Sequence, residues 1–85
     1  MQIQLRFFAG LRETFGVSSE SITLPDSTRT AGDVLAALRL RGEAWADALA
    51  DGSAFRVAVD QRLGSPASLV HHGAEVAFFP PITGG

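Results

Sequence analysis

The sequence predicts an α+β fold: a mixed sheet with one main helix packed on one face. Three observations lead there. At 85 residues the chain has room for one domain with a small core. Strand-like alternation of apolar and polar residues occurs near both ends of the chain. Between those stretches lies a segment with apolar residues on a single helical face, which calls for a second layer to cover it. The composition agrees, with 46% hydrophobic and 19% charged residues, as in a globular protein and unlike a disordered tail.

Residues 2–8 place Ile3, Leu5 and Phe7 against Gln2, Gln4 and Arg6, the pattern of a half-buried strand, with Phe8 on the polar side. Ala9 to Gly16 reads as a connecting stretch with room for a helical turn. Ser21-Ile22-Thr23-Leu24 reads as a second strand, stopped by Pro25-Asp26. Thr30-Ala31-Gly32-Asp33 has the form of a capping box with Asp in place of Glu. It opens a helix whose stripe is Ala31, Val34, Leu35 and Leu38, with Gly42 as its stop. Trp45 and Leu49 share one side of a second short helical segment ending near Asp51-Gly52, and both read as core anchors.

Phe55, Val57 and Val59 alternate with Arg56, Ala58 and Asp60 as a third strand, Gly64-Ser65-Pro66 is loop, and His72-Gly73 is a turn. In the last strand Val76 and Phe78 face the core, opposite Glu75, Ala77 and Phe79. The first and last strands can lie side by side and parallel, with the helix beneath them, which is the β-grasp arrangement. Residues 1–79 form the domain on this reading, and residues 80–85 a flexible tail. Phe8 and Phe79 then share an exposed face, and an apolar patch of that kind marks an interface.

Several function classes are disfavoured. The net charge is −2 and the seven basic residues are scattered, which argues against nucleic acid or an anionic membrane as partner. No apolar run approaches spanning length, and Met1 to Arg6 does not read as a signal peptide, so the expected location is cytoplasmic. Without cysteine there is no disulfide, thiol catalysis or thiolate metal site. His71-His72 has no third ligand at metal-binding spacing and reads as a solvated turn. No serine sits in a nucleophile elbow and no glycine-rich phosphate loop precedes a helix. The chain is therefore expected to bind no cofactor, and any ATP belongs to a partner. Arg39 and Arg41 read as a solvated face, with an acidic partner patch as the alternative.

The closing run Ala77-Phe78-Phe79-Pro80-Pro81-Ile82-Thr83-Gly84-Gly85 has the form of an arm. The prolines continue neither a helix nor a central strand. Glycines at the tip let the backbone enter a narrow site. Gly85 is expected to present its carboxylate there.

The chain resembles the small subunit of molybdopterin synthase, a ubiquitin-like sulfur carrier. The residues that carry the resemblance are Phe7-Phe8-Ala9 with Arg12-Glu13, Trp45-Ala46-Asp47-Ala48-Leu49 followed by Asp51-Gly52, Val59-Asp60-Gln61, and above all the run from Glu75 to Gly85. Two places depart from the family pattern. Asp60 stands where asparagine is usual, and His72-Gly73-Ala74-Glu75 replaces an acidic turn.

The resemblance implies a sequence of chemical steps. A ubiquitin-activating-like partner adenylates Gly85 with ATP. A sulfur donor protein displaces the adenylate and leaves a thiocarboxylate. That group gives its sulfur to a cyclic pyranopterin, which becomes the dithiolene of molybdopterin. The catalytic side chains belong to the large synthase subunit, in an expected heterotetramer, and this chain is a sulfur-donating subunit. Partner contacts are implied for Phe8, Arg12, Leu63, Phe79, Pro80, Pro81, Ile82 and Thr83, with Gly84 and Gly85 at the reacting end. The residues alone leave other classes open: a sulfur carrier for thiamin or another metabolite, a ubiquitin-like modifier joined through Gly85, or a non-catalytic interaction module.

Overall fold

A computed structural model describes residues 1–51 and 53–81. The elements run β1 (Gln2–Phe7), α1 (Ala9–Phe15), β2 (Ser19–Thr23), α2 (Ala31–Arg39), α3 (Glu43–Ala48), β3 (Arg56–Val59), β4 (Arg62–Leu63) and β5 (Glu75–Phe79). The strands form one five-stranded sheet in the order β2-β1-β5-β3-β4. β1 and β5 are parallel, with Leu5 opposite Val76 and Phe7 opposite Phe78. The other pairings are antiparallel. A mixed sheet with the first and last strands paired at its centre and one main helix on one face is the β-grasp arrangement.

Alternation decides which face is covered. Ile3, Leu5, Phe7, Val57, Val76 and Phe78 are buried in one cluster with Ala31, Val34, Leu35 and Leu38 of α2 and with Leu49. Each large apolar side chain so buried contributes roughly 1.5–3 kcal/mol relative to exposure. Phe7 stacks on Phe78 at 5.7 Å between ring centroids. Trp45 is half-buried against the cluster and lies flat on Phe15 at 3.8 Å.

α2 starts as its sequence dictates. The Thr30 hydroxyl accepts from Asp33 N–H at 3.2 Å, and an Asp33 carboxylate oxygen accepts from Thr30 N–H at 3.1 Å. Arg29 N–H, which donates to the same carboxylate oxygen at 2.9 Å, and then Thr30 N–H hold the Asp33 carboxyl below its ordinary value.

The structure differs from the sequence reading in four places. Ala9 to Gly16 is a helix, ended by Gly16 in the left-handed conformation at φ 72. Its Phe15 packs on Trp45, which supplies the tertiary contact that a seven-residue segment needs to hold a helix. Residue 8 lies outside β1, because Phe8 is already the N-cap of α1. β4 is a two-residue strand that alternation cannot reveal. Gly42 caps the start of α3, and α2 ends at Arg39. Among the described residues, no helix is long and apolar enough to cross a membrane.

Candidate functional site

The sheet has a second face that no helix of the described residues covers. Residues paired across a sheet point to the same side. The register places Arg6, Ala77, Ala58 and Leu63 in one row, with Arg6 opposite Ala77, Ala77 opposite Ala58, and Ala58 opposite Leu63. Arg56 stands opposite Phe79 in the next row. Phe8 joins that row from the other side: its N–H donates to the Phe78 carbonyl at 3.1 Å, which continues the parallel ladder one residue beyond β1. The result is a shallow groove of about 470 Å³, lined by Arg6, Phe8, Ala58, Gln61, Glu75, Ala77 and Phe79.

Small residues make the floor and aromatic residues make one wall. Ala58 and Ala77 leave a depression where longer side chains would fill the surface. Phe8 is 40% exposed and Phe79 is half-buried, so each has apolar area free to be covered. Arg6 lies 5.4 Å from the Phe8 ring centroid and pairs with Glu75 at 3.5 Å. Its aliphatic stem adds apolar surface, and its charge stays at the rim. Ala9 takes φ 50, a strained value for alanine, and it turns the chain from β1 straight into α1 beside Phe8.

The far rim is the β3–β4 turn. Asp60 and Gln61 have φ 51 and 66, so both central residues are left-handed, as a two-residue type I′ hairpin requires. Asp60 is pinned to β5: its N–H donates to the Glu75 carbonyl at 2.9 Å, and its carboxylate accepts from Glu75 N–H at 3.0 Å. A second carboxylate oxygen lies 2.8 Å from His71 Nε2. Glu75 N–H, then His71, holds the Asp60 carboxyl below its ordinary value.

The predicted site residues divide into four groups. Phe8 and Phe79 meet on the open face as expected, and Leu63, 71% exposed, extends the same row past Ala58. Pro80 is exposed and Pro81 half-buried where the chain leaves β5. Arg12 is exposed on α1, its N–H reaching the Phe8 carbonyl, but it does not line the groove. Ile82, Thr83, Gly84 and Gly85 lie outside the described residues, as does Gly52.

Arg39, half-buried, and Arg41, exposed, are both engaged within the chain. Arg39 donates to the Leu49 carbonyl at 2.7 Å and to Asp51 at 3.1 Å. Arg41 forks onto Glu20 at 2.9 and 2.7 Å and lies over the Trp45 ring. Glu20 is on β2, a long-range partner that spacing along the sequence could not show.

The histidines behave as a turn. Each has its own partner, and no cluster of metal-binding side chains occurs among the described residues. Arg6, Ala58, Gln61, Glu75 and Ala77 were missed as groove residues. Strand alternation alone marks Arg6, Glu75 and Ala77 as sharing a side, whereas Ala58 and Gln61 needed the β3–β5 pairing.

Comparisons with known proteins agree with this geometry. A molybdopterin synthase sulfur carrier subunit from Haemophilus influenzae (strain ATCC 51907 / DSM 11121 / KW20 / Rd) is 43% identical over 83 residues, covering 98% of this chain and 99% of that one. A protein of the same name from Escherichia coli (strain K12) is 40% identical over 89 residues, again covering 98% and 99%. The crystal structure of SAMP1 from Haloferax volcanii matches with a TM-score of 0.81 at 27% identity, over 100% of both chains. A family model described as ThiS family matches residues 5–85, and this chain belongs to that family.

Proposed function

We propose that this chain is the sulfur carrier subunit of a molybdopterin synthase, working in the cytoplasm. The observation that carries the reading is the full-length identity of 43% and 40% to two proteins of that name. The groove supports it, because an open apolar face stands at the point where β5 gives way to the arm. Covering Phe8 and Phe79 there removes apolar area from water at about 25 cal/mol per Å². That gain offsets the cost of ordering arm residues in a partner's channel, on the order of 1–2 kcal/mol each.

In the proposed cycle a Gly85 carboxylate oxygen attacks the α-phosphorus of ATP on an adenylating partner and releases pyrophosphate. A persulfide sulfur of the donor protein then attacks the acyl carbon and AMP departs with the oxygen. A thiol attacks the donor-side sulfur of the resulting acyl disulfide, forming a disulfide with the donor and leaving the thiocarboxylate on Gly85. On the large subunit that sulfur attacks a carbon of the pterin precursor and displaces an oxygen leaving group. Water then cleaves the acyl carbon–sulfur bond, which leaves the sulfur on the pterin and returns Gly85 to its carboxylate. The chain supplies no acid or base and binds no cofactor. Its parts are the arm that carries sulfur and the face that docks.

The test is mass spectrometry of the intact chain after incubation with the adenylating partner, ATP and a sulfur source. One oxygen-to-sulfur exchange is expected, localised to Gly85 by fragmentation. Pterin conversion that survives deletion of Gly85 would overturn the reading.

A further inference from the structure

We propose that His71 and Asp60 are positioning residues for the docking groove, acting as a clamp that tightens on protonation. The proposal rests on the reading of that groove as the docking face for a large synthase subunit. The β3–β4 turn forms the far rim of the groove. Gln61 lines the groove, and both it and Asp60 hold left-handed conformations that non-glycine residues adopt at a cost. What holds the turn in place is Asp60, bonded to both the N–H and the carbonyl of Glu75. Glu75 in turn carries the carboxylate that pairs with Arg6 across the groove. His71 closes the set by holding the remaining Asp60 oxygen.

The imidazole is placed for the protonated state. Nδ1 lies 2.9 Å from the His72 carbonyl oxygen, and Nε2 lies 2.8 Å from the Asp60 carboxylate. Both neighbours only accept, so both ring nitrogens must carry hydrogen, and only the imidazolium does. A neutral ring loses one of the two bonds. The His72 carbonyl first, and Asp60 second, hold His71 above its ordinary value of 6.5. The charged groups around the pair are Asp60 itself, Arg62 on β4, and Glu75 with its partner Arg6. The sign follows from the raised value: the clamp is complete below the ordinary histidine range and is lost as pH rises through the raised one. Both side chains are solvated, so the effect is modest, a change in partner affinity of about two- to five-fold.

The experiment uses the full chain and the large synthase subunit, titrated by calorimetry at about pH 6 and about pH 8. The wild type should bind about two- to five-fold more tightly at the lower pH. His71→Gln keeps a donor toward Asp60 at every pH and should remove the difference. Asp60→Asn keeps an acceptor for Glu75 N–H but has no charge to hold an imidazolium, so it should also remove it. In the free protein, proton NMR should show the His71 midpoint falling in Asp60→Asn.

A flat wild type, a difference that persists in both variants, or an unmoved His71 midpoint would each overturn the proposal. Failure of the large subunit to bind at either pH would instead overturn the functional reading, and this inference with it.

Discussion

Phe78 and Phe79 are neighbours with opposite duties, because successive side chains of a strand point to opposite faces. Phe78 is fully buried between Phe7 and Phe55. Phe78→Ala should cost about 3–5 kcal/mol, a large share of the roughly 5–15 kcal/mol that holds such a domain together. Thermal melting should show the loss, with partner binding failing only because the fold does. Phe79→Glu should leave the melting temperature close to wild type and weaken binding to both the adenylating enzyme and the large subunit, read by calorimetry. Unchanged affinity for both would remove Phe79 from the interface. Gln61 offers a stabilising counterpart, since at φ 66 it holds a shape that glycine takes freely. Gln61→Gly should raise stability by up to about 1 kcal/mol in a denaturant melt, provided the turn keeps its place on Glu75.

Among the elements, α2 was the most legible and α1 the least. Thr30 and Asp33 at capping-box spacing, followed by a stripe of Ala31, Val34, Leu35 and Leu38, specify a helix from local chemistry alone, and that helix is present. Thr30→Ala should cost about 1 kcal/mol in chemical denaturation. The Asp33 contribution has a definite sign with pH. Its carboxyl is held below the ordinary 3.8, so the stabilisation is present above that value and is lost as pH falls through the lowered one. α1 could not be read the same way, because its helix rests on Phe15 meeting Trp45, residues far apart in sequence. The same reason hid the Arg41–Glu20 fork and the places of Ala58 in the floor and Gln61 at the rim of the groove. Phe8 and Phe79 were legible because alternation alone assigns their face.

For the whole molecule, the two faces of one sheet divide stability from the proposed docking. The covered face takes the core, and the open face carries little of it, so a surface for partners can vary without threatening the fold. If one groove serves both the adenylating enzyme and the large subunit, the two cannot bind together. Pre-bound large subunit should then abolish adenylation in a pyrophosphate-release assay, and undiminished release would show separate surfaces. Gly84→Val should separate the arm from the domain: a wild-type melting temperature with severe loss of sulfur transfer. The parallel pairing of β1 with β5 has a mechanical consequence. Met1 enters at one end of the sheet and Phe79 leaves at the other. A pull between those two ends slides the central strands along each other, so the rungs that join them share the load at once and do not open one by one like a zipper. In the proposed cycle the domain would then serve as a rigid handle while an enzyme holds the arm.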